Sequence, residues 1–244
     1  MRPQIVTTSD RRDLDEQGKA VLLPGWPEFI FHDPVSSELI GRAAEYFPLY
    51  DVRILADGAV IAGGWAVALR WKGTAGDLPA GYDGALTRAI AQHESGVPPD
   101  TLCVMAAAVD HGQQGAGLGG QVLTALRTRA AQAGLERMIA PVRPVLKSRY
   151  PLTPMENYAR WTRADGRHVD PWIRTHQRLG AVILRPAPGS MVITGTVAEW
   201  EEWAGMAFPE TGRYVVPGAL DLVEVDVEND HGSYAETNLW MRHL

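Results

Sequence analysis

The sequence predicts an α/β fold of mixed strand direction, and three observations predict it. An apolar run, Leu102 to Val109, passes into a glycine-rich stretch and then a helical pattern, Gln121 to Ala133, which reads as strand, loop, helix. Upstream, Asp57-Gly58 separates two apolar runs, Asp51 to Leu55 and Val60 to Trp71, a hairpin signal with residues that favour a type I′ turn. Downstream, Leu220 to Val227 and Thr237 to Arg242 alternate in polarity around a turn at Asp230 to Ser233, which reads as closing strands.

The remaining elements follow in order. Gln4 to Thr8 is a short strand-prone opening. Arg11 to Leu23 has a helical pattern stopped by Pro24-Gly25-Trp26-Pro27, and Ser37 to Phe47 is a second helix ended by Pro48. Gly63-Gly64 predicts a bulge or bend in the second arm of the hairpin. Tyr82 to Glu94 is helical, and Met138 to Val142 is the strand after the loop helix. Arg143 to Gly166 is rich in Pro, Arg and aromatics, with weak periodicity. Asp170-Pro171 opens a helix, Asp170 as N-cap and Pro171 at its first position, which runs to Leu179 and ends at Gly180. Ala181 to Leu184 is a short strand, and Pro209 to Pro217 a loop.

Composition narrows the class. The chain has 244 residues, 45% hydrophobic and 21% charged, and is expected to form one domain over residues 1–244. A net charge of −6 argues against sequence-blind nucleic-acid binding. The single cysteine, Cys103, excludes an internal disulfide, and its apolar setting makes a buried inert thiol the default. No signal-like apolar region and no apolar stretch near 18 residues is present, so a cytoplasmic protein without membrane partners is expected.

The glycine stretch carries the chemistry. Residues 112–120 hold five glycines, more freedom than a plain turn needs, and a helix starts immediately after. Uncovered backbone N–H groups and the positive end of the helix dipole then face one point, a site suited to phosphate or pyrophosphate. The loop ends Gly119-Gly120-Gln121, without the Lys and Ser/Thr of a P-loop. Gly115-Ala116-Gly117-Leu118-Gly119-Gly120 contains G-x-G-x-x-G, but the acidic residue a dinucleotide fold needs at the end of its next strand is missing, since Glu136 precedes that strand. The frame Gln114-Gly115-Ala116-Gly117-Leu118-Gly119 reads Q-x-x-G-x-G.

That frame resembles the pyrophosphate loop of the GNAT acyltransferase superfamily, and the element order from Asp51 to Leu244 is similar to the GNAT fold. The resemblance implies a central mixed, mostly antiparallel sheet splayed between its fourth and fifth strands, with helices on both faces. It implies acetyl-CoA as co-substrate, bound by Ala108, Val109, Gln114, Gly115, Ala116, Gly117, Leu118, Gly119 and Gly120, with backbone at Ala108 and Val109 meeting the pantetheine arm and thioester. His111 lies outside the signature and reads better as a solvated loop histidine. The segment from Arg143 to Ala181 also resembles an actinobacterial subgroup and the GNAT-like domains of polyketide synthase loading modules, which decarboxylate a malonyl thioester and pass acetyl to a carrier protein.

The implied activity is an N-acetyltransferase in which an amine attacks acetyl-CoA directly. The alternatives are a GNAT-like enzyme acting by malonyl decarboxylation or S-acyl transfer to a carrier thiol, and a non-catalytic acyl-CoA-binding protein. Expected partners are acyl-CoA and an amine or carrier-thiol acceptor, with a homodimer as a further expectation. Such chemistry needs a base for the amine and an acid for the thiolate. His176, in the helix opened by Asp170, has the near-neutral pKa of an acid, base or thioester donor, against a core-satisfied histidine. Tyr234 is a candidate acid, as in some GNAT enzymes, against a packing tyrosine. Asp226 and Glu228, on one face of the strand, are candidate bases, against solvated charges at a hairpin turn; the run to Asp230 and His231 is a weak metal-like pattern with no further support. Arg143, Lys147 and Arg149 follow the fifth strand, where they would meet CoA phosphates or an anionic acceptor, or solvent. Tyr158, Trp161 and Trp172 would wall an acceptor pocket or fill the core, and Arg174 is a further candidate for the acceptor.

Overall fold

The structure, a computed structural model, describes residues 3–243. Its strands form one sheet in the order β1 (Gln4–Thr7), β2 (Asp51–Ala56), β3 (Ala59–Leu69), β4 (Thr101–Val109), β5 (Arg137–Val142), β9 (His231–His243), β8 (Val223–Asp226), β7 (Gly212–Tyr214). β6 (Val182–Gly195) pairs along β9 on the edge opposite β5, because Leu239 is matched by both Val142 and Pro186. All pairs are antiparallel except β4 with β5.

The parallel pair opens the sheet. β4 and β5 are in register only at Thr101–Cys103 against Arg137–Ile139. Beyond that, residues 104–109 of β4 stay with β3, while residues 140–142 of β5 stay with β9. The two strands therefore part toward their carboxyl ends. A bulge helps to turn β4 away: Trp65 faces Ala106 and Ala66 faces Val104, so Met105 is the extra residue.

Seven helices, among the described residues, cover both faces. Gly64 and Trp65 are successive residues of β3 and so point to opposite sides. A Cβ on Gly64 would lie 2.7 Å from Val122 of α4 (Leu118–Gln132), whereas Trp65 packs edge-on against Tyr82 of α3 (Gly81–Glu94). α1 (Asp15–Leu22) lies over Arg53, and α2 (Pro34–Tyr46) packs with α3. α5 (Met155–Tyr158) and α6 (Pro171–Arg178) follow β5, and α6 lies against α4. α7 (Val197–Ala204) covers a second core of Phe29, Ile193, Trp200, Phe208, Val223 and Tyr234. The main core joins Val52, Ile54, Leu69, Leu86, Leu102, Leu126 and Trp240. No helix among the described residues is long and apolar enough to cross a membrane.

The Asp57-Gly58 hairpin forms as expected, with φ of 50° and 83° at its two turn residues. Other expectations are corrected. Gly63 and Gly64 are regularly paired; they are glycines because a Cβ would strike Val52 O at 2.8 Å or Ala106 O at 2.5 Å, and the irregularities fall on either side. The first helix begins with a 3-10 turn at Arg12–Leu14, and the second starts at Pro34 because Asp33 accepts the Ser36 N–H at 2.7 Å as its cap. The strand expected over Ala181 to Leu184 runs on to Gly195: β6 pairs with β9 alone among the described residues, and register shifts absorb the prolines of its middle. α7 was not expected, although Thr196 and Glu199 form a capping box. The last strand begins at His231, with the turn at residues 227–230.

Candidate active site

The open end has two arms, and the first is made of backbone. After β4, the Asp110 carboxylate accepts the Gly112 N–H at 2.9 Å and closes a single 3-10 turn, His111–Gln113. Gly115 and Gly117 then take φ of 84° and 77°, left-handed values that side chains rarely adopt. Gly117 caps α4 without a side-chain bond, and no acidic residue lies in the first turn. The chain is exposed from His111 to Gly117. Among the described residues, no protein acceptor meets the N–H groups of residues 114–120. The result is a concave row of free donors at the positive end of a helix of 15 residues, which fits a pyrophosphate. A Cβ at Gly119 would lie 3.0 Å from Trp172, so this glycine lets α6 press against the same turn. Ala108 and Val109 lie on the stretch of β4 that β5 has left, where alternate backbone groups face the gap.

The second arm is made of side chains. β9 is antiparallel to β5, so residues before Leu239 lie beyond β5's carboxyl end. There the buried Glu236 carboxylate accepts from Arg143 Nε at 2.9 and 3.1 Å, from Tyr234 OH at 2.9 Å and from Asn238 Nδ2 at 2.7 Å. The Asn238 amide oxygen accepts from Ser190 Oγ at 2.5 Å, and Ser190 Oγ accepts the Tyr82 N–H at 2.8 Å. Arg143 also donates through Nη2 to Gly218 O at 2.6 Å, and its guanidinium lies 5.8 Å from the Trp26 ring centre. A chain of hydrogen bonds thus runs from the first turn of α3 to the end of β5.

Two carboxyl groups stand beside it. Asp33 and Asp83 lie close enough for the charge of one to act on the other, and each has an Oδ1 that meets no donor among the described residues. Two carboxyl groups this close resist both being ionised. Burial first, and then the charge of Asp33, raises the pKa of Asp83, while burial raises that of Asp33. Sequence reasoning missed Asp33, Asp83 and Glu236. For Glu236 a signal existed: Tyr234, Glu236, Asn238 and Trp240 share one face by the period of two, which puts a carboxylate among inward positions.

The proposed catalytic side chains lie elsewhere or are already engaged. His176 is buried, with Nδ1 2.9 Å from Nε2 of His243, which pairs with Met138 at the end where β4 and β5 still bond. Burial, then His243, holds its pKa well below 6.5, so it is neutral and structural. Tyr234 accepts from Leu220 N at 2.8 Å while donating to Glu236; burial and that carboxylate push its pKa up, which makes it a poor acid. Asp226 ends β8 and binds Asn229, while Glu228 is exposed in the turn, so they do not share a strand face. Eight residues of β9 separate their end of the hairpin from Leu239, about 26 Å at the usual rise. Their run joins no group of metal-binding side chains among the described residues.

The second set divides. Lys147 is fully buried and donates to Leu220 O and Tyr150 O, with its pKa lowered by burial. Tyr158 donates to Asp170 at 2.9 Å and packs with Trp161 in the wall of the 143–170 segment. Arg174 donates to the carbonyls of His168 and Val169. Asp170 caps α6 through the N–H groups of Trp172 and Ile173, and its other oxygen takes Leu146 N and Tyr158 OH. Cys103 is buried, with its pKa raised by burial, and His111 is exposed. Arg143, which follows the last residue of β5, stands at the open end with part of its surface free, and Arg149 is exposed.

No protein-family model matches the chain. It is 30% identical to an arginine N-acetyltransferase of Aspergillus versicolor over 247 residues, covering 89% of this chain and 84% of that protein. Among solved structures it is similar to the loading GNATL domain of CurA from Lyngbya majuscula, with a TM-score of 0.59, 16% identity and coverage of 100% of this chain and 98% of the other. It is also similar to the GphF GNAT-like decarboxylase in complex with isobutyryl-CoA, with a TM-score of 0.54, 17% identity and the same coverage. At these identities the structural likeness is one of fold.

Proposed function

The chain belongs to the GNAT acyltransferase superfamily, and from that premise we propose that it moves an acetyl group from acetyl-CoA to the amine of a small cationic acceptor, arginine first among them. The observation that carries this reading is the parting of β4 from β5 between a backbone anion cradle and a carboxyl-rich arm. In this reading the free N–H groups of residues 114–120 hold the CoA pyrophosphate, and the unpaired edge of β4 receives the thioester. Edge N–H groups there polarise the acyl carbonyl as charge develops on its oxygen. The amine lone pair forms the C–N bond, the C–S bond breaks, and the second proton shed by the nitrogen passes to the departing thiolate, which leaves as the free thiol.

The acceptor arrives as an ammonium ion and must lose a proton before attack. Asp83 takes it, because its raised pKa brings it closer to that of an amine than an ordinary carboxylate. Its position supports the role: the first turn of α3 bonds to Ser190 on one side and packs through Tyr82 on Trp65, the partner of Ala106 in the free part of β4. The carboxyl groups of Asp33 and Asp83 also suit a cationic acceptor, and the relative in Aspergillus versicolor is named for arginine.

The test is turnover of acetyl-CoA with arginine, read as free thiol and as acetylated arginine by mass. The likeness to a GNAT-like decarboxylase over the whole chain favours one other reading, decarboxylation of a malonyl thioester with acetyl transfer to a carrier thiol. Carbon dioxide release from malonyl-CoA, with no thiol release from acetyl-CoA and arginine, replaces the first reading by the second. Binding of acetyl-CoA without either reaction makes the chain a binding protein.

A further inference from the structure

We infer that Arg143 reads the carboxylate of an amino-acid acceptor and that Glu236 is the positioning residue that aims it. The inference rests on the acetyl-transfer reading and deepens it by naming the class of acceptor. Arg143 follows the last residue of β5 and so stands at the open end, on the arm opposite the anion cradle. Its guanidinium is clamped on two edges and one face: Nε by Glu236, Nη2 by Gly218 O, and the ring of Trp26 above. The third edge is free. Nη1 meets no protein acceptor among the described residues, and the side chain keeps 17% of its surface exposed.

The clamp is more than a structural tie needs. Glu236 is fully buried, and its oxygens are saturated by Arg143, Tyr234 and Asn238, so it fixes the guanidinium without occupying the outer edge. A guanidinium already held in one orientation loses little freedom when it binds, and its planar fork matches a carboxylate. Lys147, the nearby cation, is buried against carbonyls and cannot substitute. The pattern of charge is complementary to an amino acid: a free guanidinium edge for its carboxylate on the β5 arm, and the Asp33–Asp83 carboxyls by α3 for the ammonium group that gives up its proton. The CoA phosphates have their own donors on the other arm, across the gap.

The experiment compares arginine with agmatine, which is arginine without its carboxylate, by the ratio of their kcat/KM values. In Arg143→Gln this ratio is expected to fall at least tenfold toward the decarboxylated amine, with the change carried by KM for arginine. Arg143→Lys, which keeps the charge but not the fork, falls in between. A merely structural role for Arg143 lowers both substrates together and leaves the ratio unchanged, which overturns the inference. The wild-type protein supplies a test that needs no variant to fold: arginine amide, whose carboxylate is masked, should show a KM at least tenfold above that of arginine, and equal KM values overturn the inference. Wild type that acetylates agmatine but ignores the carboxylate overturns this inference and leaves the acetyltransferase reading standing. Wild type that acetylates neither overturns both.

Discussion

The two arms of the open end are built from different material. The β4 arm is backbone: an exposed run of glycines whose function depends on N–H groups left free by local geometry. The β5 arm is side chain: buried Glu236 bonded to Arg143, 93 positions away, with Asn238, Ser190 and Tyr82 joined behind it. The difference teaches where each arm is vulnerable. The first tolerates nothing that fills or charges the cradle, yet contributes little to stability. The second holds three segments together, so damage there reaches the fold before it reaches the donor site.

The largest effect should come from breaking the backbone arm. Gly117→Asp places a carboxylate among donors meant for phosphate and is expected to weaken CoA binding at least 100-fold, about 2.7 kcal/mol or more, while the left-handed backbone there costs about 1 kcal/mol of folding stability. Calorimetry with CoA decides it, and equal affinities would remove this loop from the donor site. Breaking the other arm should do the converse. Glu236→Leu strands the Arg143 guanidinium and the Tyr234 hydroxyl in a buried site and is expected to cost about 3–5 kcal/mol of folding stability while CoA affinity holds. Denaturant titration measures the first and calorimetry the second; a fall in CoA affinity without destabilisation would erase the distinction between the arms.

Smaller effects sharpen the comparison. Asp83→Asn should lower kcat by about 100-fold. In the wild type, activity should rise with pH through the raised pKa of Asp83, because the ionised form is the base, and that limb should vanish in the variant. A limb that persists in Asp83→Asn assigns the proton to another group. The smallest change in activity is expected at the closed end. His176→Leu should leave kcat within about twofold while altering the acid dependence of stability. Both His176 and His243 are held below the ordinary 6.5, His243 at about 4 and mainly by burial. The unfolded chain therefore binds more protons between those values, so wild-type stability falls as pH drops from 6.5 toward 4. The variant's stability should fall less steeply over that window. An unchanged slope would show that the histidine pair is not what acid attacks.

Legibility followed the same division. The cradle, the Asp57-Gly58 turn and the Asp170-capped helix are local: each is dictated by residues within about a dozen positions, and the patterns of glycine, aspartate and proline state the backbone conformation directly. Catalytic candidates that rest on residue type are where expectation and structure part. His176 has the right chemistry in isolation, but its neighbour is His243, 67 positions on, and burial removes its charge. Tyr234 was noticed and Glu236 was not, though the hydroxyl is bonded to that carboxylate. Asp33 and Asp83 look like ordinary residues at helix starts, and their raised pKa values arise because packing of α2 on α3 buries them near each other.

By itself the sequence determined most of the order of strands and helices, though not α7 or β7, together with the glycine cradle and its resemblance to an acyl-CoA loop, because hydrophobic period, capping and left-handed glycines act over short stretches of chain. Only the tertiary structure decided that β4 and β5 separate after three paired residues, that Lys147 is buried while Arg143 keeps an edge free, and that His176 lies at the closed end. The reason is physical. Whether an ionisable side chain is a reagent or a tie depends on its solvation and its partners, and those are set by segments that meet only when the sheet is assembled.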